Sequence, residues 1–107
     1  MKLPIERDGE TVTVTVTEKR LDALCAAPFR QALQDCIEEG ARRLIVDLSA
    51  TVFVDSSGLG ALVSVLRRLS GPGSLVLRGV APPVSHALRV ARLDRILVIE
   101  PAAAPRG

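Results

Sequence analysis

The sequence predicts a single α/β domain: a mixed, mostly parallel sheet of four to five strands with covering helices. Its length of 107 residues is one domain's worth of chain, because compact domains cluster around roughly 100 to 150 residues. Hydrophobic residues make up 48% and charged residues 24%, the balance of a globular protein and not of a disordered one. Short apolar runs alternate with amphipathic stretches in the order β-β-α-β-α-β-α-β, and βα crossovers of that kind build parallel sheets with helices against their faces.

The N-terminal residues read as a hairpin. Leu3-Pro4-Ile5 opens it and Asp8-Gly9 supplies the turn; Val12, Val14 and Val16 then alternate with Thr11, Thr13, Thr15 and Thr17, the pattern of a strand with one buried face. Residues 21–40 read as the first helix, with Leu24, Phe29, Leu33, Cys36 and Ile37 at helical spacing, Pro28 in the first turn and Gly40 as the C-cap. The run Leu44-Ile45-Val46-Asp47-Leu48 is too short for a helix and rich in β-branched residues, which predicts a central strand buried on both faces.

After Thr51-Val52-Phe53-Val54 comes Asp55-Ser56-Ser57-Gly58. Leu59, Leu62, Val63, Leu66 and Leu69 then form the apolar stripe of a second helix that ends at Ser70-Gly71-Pro72-Gly73. Leu75-Val76-Leu77 is the next strand, Pro82 to Val90 a third helix entered through Pro82-Pro83, and Ile96-Leu97-Val98-Ile99 a last strand. The expected domain covers residues 1–100, and residues 101–107 read as a flexible C-terminal tail.

Composition narrows the function classes. Phe29 and Phe53 are the only aromatic residues and His86 the only histidine, which argues against base-stacking platforms and multi-histidine metal centres. Fourteen Lys and Arg against 12 Asp and Glu leave a net charge of +2 with the signs interspersed, whereas nucleic-acid binding needs a concentrated positive stripe. The start MKLPIERDGE has no signal-peptide core, and no stretch approaches the ~18 apolar residues of a membrane span, so the expectation is a cytoplasmic protein without membrane insertion. Cys25 and Cys36, placed on one helix, would lie ~16 Å apart along its axis, too far for a disulfide; both read as small buried apolar residues.

The segment Asp47 to Gly60 is the most unusual part of the chain. A strand delivers the backbone to an acidic, hydroxyl-rich, glycine-rich turn that starts a helix. Asp and Ser before a helix accept hydrogen bonds from its first-turn amides, so capping explains part of the pattern. One such residue suffices as a cap, however, and Gly58 and Gly60 inside the first turns each cost about 0.5 to 1 kcal/mol relative to Ala. Glycine there opens the helix start to close approach by another molecule. A serine at that place also suits phosphorylation, because a helix N-terminus tolerates the added negative charge.

The run Leu44-Ile45-Val46-Asp47-Leu48-Ser49 followed by Val52-Phe53-Val54-Asp55-Ser56-Ser57-Gly58-Leu59-Gly60-Ala61-Leu62 resembles the signature of STAS domains, the sulfate-transporter and anti-sigma-factor-antagonist family, and among them the stand-alone antagonists. The resemblance extends upstream through Arg20-Leu21-Asp22 and downstream through Leu75-Val76-Leu77, Val84, Leu88 and Leu93-Asp94-Arg95-Ile96. It implies a bacterial, cytoplasmic protein of transcription regulation that binds an anti-sigma factor serine kinase and is switched off by phosphorylation of Ser57. Asp22, Asp47, Asp55 and Ser56 match positions around the phospho-site, and a PP2C-type phosphatase would reset the switch. Gly58, Leu59, Gly60, Ser64, Arg67 and Arg68 would meet the partner. Lys19 stands where many members carry glycine, which implies a loop of another shape with a positive charge near the phosphoserine.

On this reading the protein is a substrate, with no catalysis and no cofactor or metal of its own. The same family also implies an alternative, a non-catalytic subunit of an ABC-type lipid or solute transport complex. A Ser57, His86 and Asp triad is disfavoured because the chain lacks a Gly-x-Ser-x-Gly elbow.

Overall fold

The computed structural model describes Met1 and residues 3–102. Along the chain the elements are β1 (Ile5–Asp8), β2 (Thr11–Thr15), β3 (Arg20–Leu21), α1 (Ala26–Glu38), β4 (Arg43–Asp47), β5 (Phe53–Val54), α2 (Ser56–Leu66), β6 (Leu75–Val80), α3 (Pro82–Val90), a 3-10 turn at Leu93–Arg95 and β7 (Val98–Pro101). Five strands form the main sheet in the order β1-β2-β4-β6-β7. The β1–β2 hairpin is antiparallel, and the β2–β4, β4–β6 and β6–β7 pairs are parallel. The expected mixed, mostly parallel sheet with helices is the fold observed.

Register explains which side of the sheet carries the core. Val12, Leu44 and Leu75 lie side by side across β2, β4 and β6, as do Val14, Val46 and Leu77. All six are fully buried and join one cluster with Phe29, Leu33 and Cys36 of α1, Leu62 and Val65 of α2, and Val84 and Leu88 of α3. The period-two alternation of β2 thus aims its valines at the helices and its threonines at the other face. Ile45 and Val76 point to that other face and are buried between their neighbours, outside the helix-facing cluster. The expectation of a β4 buried on both faces therefore holds for Leu44, Ile45 and Val46, whereas Arg43 is exposed and Asp47 half-buried, and the helices pack on one side.

Several boundaries differ from the sequence expectation, each for a local reason. The helix expected over residues 21–40 begins at Ala26, because Asp22 turns the chain: its carbonyl accepts from the amides of Cys25 and Ala26, and its carboxylate accepts from Leu24 N at 3.1 Å. Pro28 still falls in the first turn, and Cys25 becomes the residue before the helix. The last strand starts at Val98 instead of Ile96, since Leu93–Arg95 continues as a 3-10 turn after Arg92, whose φ of 60° is the only positive value at a non-glycine position among the described residues. Strand β7 runs one residue beyond the expected domain end, and Ala102 N donates to Val80 O at 3.0 Å. Residues 103–107 of the expected tail lie outside the described residues. Among those described, no helix is long and apolar enough to cross a membrane.

Candidate functional site

The element that positions the site has no counterpart in the sequence pattern. β3 and β5 form a separate two-stranded parallel sheet, pairing Arg20 with Phe53 and Leu21 with Val54. Its edges are tied by backbone bonds: Lys19 O accepts from Val52 N at 2.8 Å and Leu21 O accepts from Asp55 N at 3.1 Å. Buried Thr51 adds a side-chain bond, its Oγ1 donating to Glu18 O at 2.8 Å. On the outside of the small sheet the Arg20 guanidinium lies over the Phe53 ring, 4.1 Å from its centroid.

This frame fixes where α2 begins. Asp55 is its N-cap in extended conformation, and its carboxylate accepts from Gly58 N at 3.0 Å. Ser56 and Ser57 are the first two helical residues, where backbone N–H groups have no partner within the helix and the helix dipole presents partial positive charge. Gly58 packs against β3: a Cβ there would lie 2.5 Å from Leu21 O and 2.7 Å from Val54 Cγ2. Gly60 faces open space. The two glycines therefore differ in kind, one admitting the helix to the small sheet and the other leaving a clear approach beside Ser57.

Ser57 is half-buried and Ser56 exposed. Ser57, Gly60, Ala61 and Ser64 of α2 line one wall of a groove of about 360 Å³, and Ala23, Ala26, Ala27 and Arg30 line the other from α1 and the turn before it. The small side chains hold the groove open. Arg30 is its one charged lining residue, and sequence reasoning passed over it because α1 was read for its apolar stripe alone. A larger hollow of about 680 Å³ lies away from Ser57, between Leu3, Pro4 and Ile5 and the α1 residues Ala32 and Cys36.

The other residues singled out from the sequence do not all converge on Ser57. Asp22 faces a different groove, with Thr17, Lys19, Arg20 and Leu24, and pairs with Arg20 at 3.4 Å. Lys19 lies in that same groove and has no positive φ, so the loop accommodates lysine without strain. Asp47, at the end of β4, accepts from both the amide and the hydroxyl of Ser49, at 2.9 and 2.6 Å. Gly58 is buried and Leu59 half-buried. Arg67 and Arg68 stand at the far end of α2, about 15 Å along its axis from Ser57, and Arg68 pairs with Glu38 of α1 at 3.8 Å. His86 is exposed on α3 and does not line the groove of Ser57.

A family model described as "Mlab, STAS domain" matches residues 4–99. The chain belongs to the STAS family. Several solved structures have a similar fold. An anti-sigma factor antagonist from Mycobacterium paratuberculosis matches this STAS chain at 25% identity and a TM-score of 0.77, covering 94% of this chain and 86% of that one. An anti-sigma-factor antagonist (STAS) domain protein from Planctomyces limnophilus matches at 16% identity and a TM-score of 0.80, over 94% and 89% of the two chains. The Bacillus cell fate determinant SpoIIAA in its phosphorylated form matches at 23% identity and a TM-score of 0.68, over 92% and 90%.

Proposed function

We propose that this STAS protein is an anti-sigma-factor antagonist whose affinity for an anti-sigma factor serine kinase is controlled by phosphorylation of Ser57. The observation that carries the reading is the setting of Ser57: a half-buried hydroxyl on the first turn of α2, beside the open space of Gly60 and at the rim of a groove. The structural neighbours described as antagonists, among them SpoIIAA, which is also known in a phosphorylated form, support the same role. In the transfer the Ser57 oxygen attacks the γ-phosphorus of ATP, the bond to the leaving ADP oxygen breaks, and a base on the kinase takes the hydroxyl proton. The chain supplies only the acceptor.

The surface around Ser57, Gly60 and Ser64, continued along α2 to Arg67, is the docking face for the kinase. Phosphorylation places about −1.5 to −2 charges in it. Desolvating that charge against a partner costs several kcal/mol, and about 3 kcal/mol weakens affinity more than a hundredfold. A PP2C-type phosphatase restores the hydroxyl, and such a cycle belongs in the cytoplasm, where ATP is available.

Incubation with the cognate kinase and ATP, followed by peptide mass mapping, tests the assignment. One phosphate on the peptide containing Ser57, absent from Ser57→Ala, is the expected result; an unchanged mass or a phosphate elsewhere overturns it. Membership of the STAS family carries one second reading, the non-catalytic subunit of an ABC-type transport complex. Recovery of an ATP-binding-cassette subunit in a pull-down, with no serine kinase, would select it.

A further inference from the structure

We propose that Arg30 is the intramolecular partner of the phosphate on Ser57, so that modification ties the start of α2 to α1 across the groove. This deepens the phosphorylation reading and rests on Ser57 as the modified residue. Ser57 and Arg30 line the same groove from opposite walls, and its other lining residues are Ala23, Ala26, Ala27, Gly60, Ala61 and Ser64. Those six are all small. Arg30 is exposed and, like Arg43, Arg67, Arg89, Arg92 and Arg95, makes no ion pair among the described residues; of these arginines it is the one that lines the groove of Ser57. Its fork of donors is thus uncommitted until an anion enters the groove.

Chemistry favours this pairing over other arrangements. A guanidinium binds a phosphate through two parallel charge-assisted hydrogen bonds, and its long stem carries the head several ångströms into the groove. The nearest acidic side chain on the helix, Asp55, is committed to the amide of Gly58. The helix dipole at Ser57 adds to the attraction from the same side. Phosphorylation then changes the docking face twice, adding an anion and removing the free cation that stood beside the serine.

The test installs phosphoserine at position 57 by genetic-code expansion, so it does not depend on any kinase, and follows the phosphate by phosphorus NMR across a pH titration. The free group titrates near pH 6, and a nearby cation holds it lower. Arg30→Gln is expected to raise the apparent pKa by about half a unit or more, Arg30→Lys to restore part of the difference, and Arg89→Gln on α3 to leave it unchanged. The difference should shrink with added salt, as for any exposed pair. Identical titrations of the parent and Arg30→Gln would overturn the pairing while leaving Ser57 phosphorylation intact; failure of the kinase to modify Ser57 would overturn the earlier reading alone. Because Arg30 is exposed, coincident unfolding curves of the unmodified parent and Arg30→Gln are the check that both are folded.

Discussion

Gly58 and Gly60 stand two positions apart in one helix and have opposite requirements. At Gly58 a methyl group would collide with the Leu21 carbonyl and Val54, and backbone atoms yield little. Gly58→Ala is therefore expected to destabilise the fold by about 1 to 3 kcal/mol. At Gly60 a methyl group meets nothing, so Gly60→Ala should raise stability by up to about 1 kcal/mol through lower chain entropy in the unfolded state. Urea unfolding of the two variants measures both signs; a loss at Gly60 would show that α2 needs its flexibility. In the sequence the two glycines carried one shared meaning, an opened helix start. Only Gly60 has it, because a close approach from β3 leaves no trace in the local pattern. The three aspartates show the same limit: the resemblance groups them around the phospho-site, whereas in the structure Asp22 and Asp47 bond within their own turns and neither lines the groove of Ser57.

At the scale of elements, helices with strong apolar stripes were legible and two-residue strands were not. α3 appears with the bounds its prolines and apolar spacing implied, whereas β3 and β5 are too short for any periodicity to register. They matter because they set where both α1 and α2 begin. The late start of α1 separates its two cysteines into different environments. Cys36 is buried on the helix, and burial pushes its thiol up from the ordinary range; Cys25 is half-buried before the helix and donates from Sγ to Arg20 O at 3.2 Å. Alkylation with iodoacetamide near neutral pH is expected to modify Cys25 first and Cys36 only once the chain unfolds, as read by peptide mass. The sign follows from the thiolate being the nucleophile: a raised pKa means less of it. By the same linkage, above the unfolded thiol's ordinary value of about 8.5 the unfolded chain releases a proton that the folded state keeps, so Cys36 makes stability fall as pH rises through that window. Equal labelling of both cysteines in the native protein would contradict the burial of Cys36.

At the scale of the molecule, stability and the proposed switch belong to different layers. The rows Val12, Leu44, Leu75 and Val14, Val46, Leu77 are buried against the helices, while Ser57 sits at the rim of the helix layer, facing a groove. A change at Ser57 should therefore reach the partner without reaching the core. Aspartate is moreover a favourable residue in the first turn of a helix, contributing about 0.3 to 1 kcal/mol through the dipole. Ser57→Asp is expected to unfold in urea at the parent's midpoint or slightly above it, and yet to bind the serine kinase weakly. Leu62→Ala provides the contrast, since Leu62 is fully buried on the same helix; it should cost about 2 to 5 kcal/mol. If Ser57→Asp lost stability on that scale, its weaker binding would be a consequence of unfolding and not of charge on a docking face. Coincident midpoints with divergent affinities would instead place the switch at the surface, where a kinase and a phosphatase can reach it on an unchanged fold.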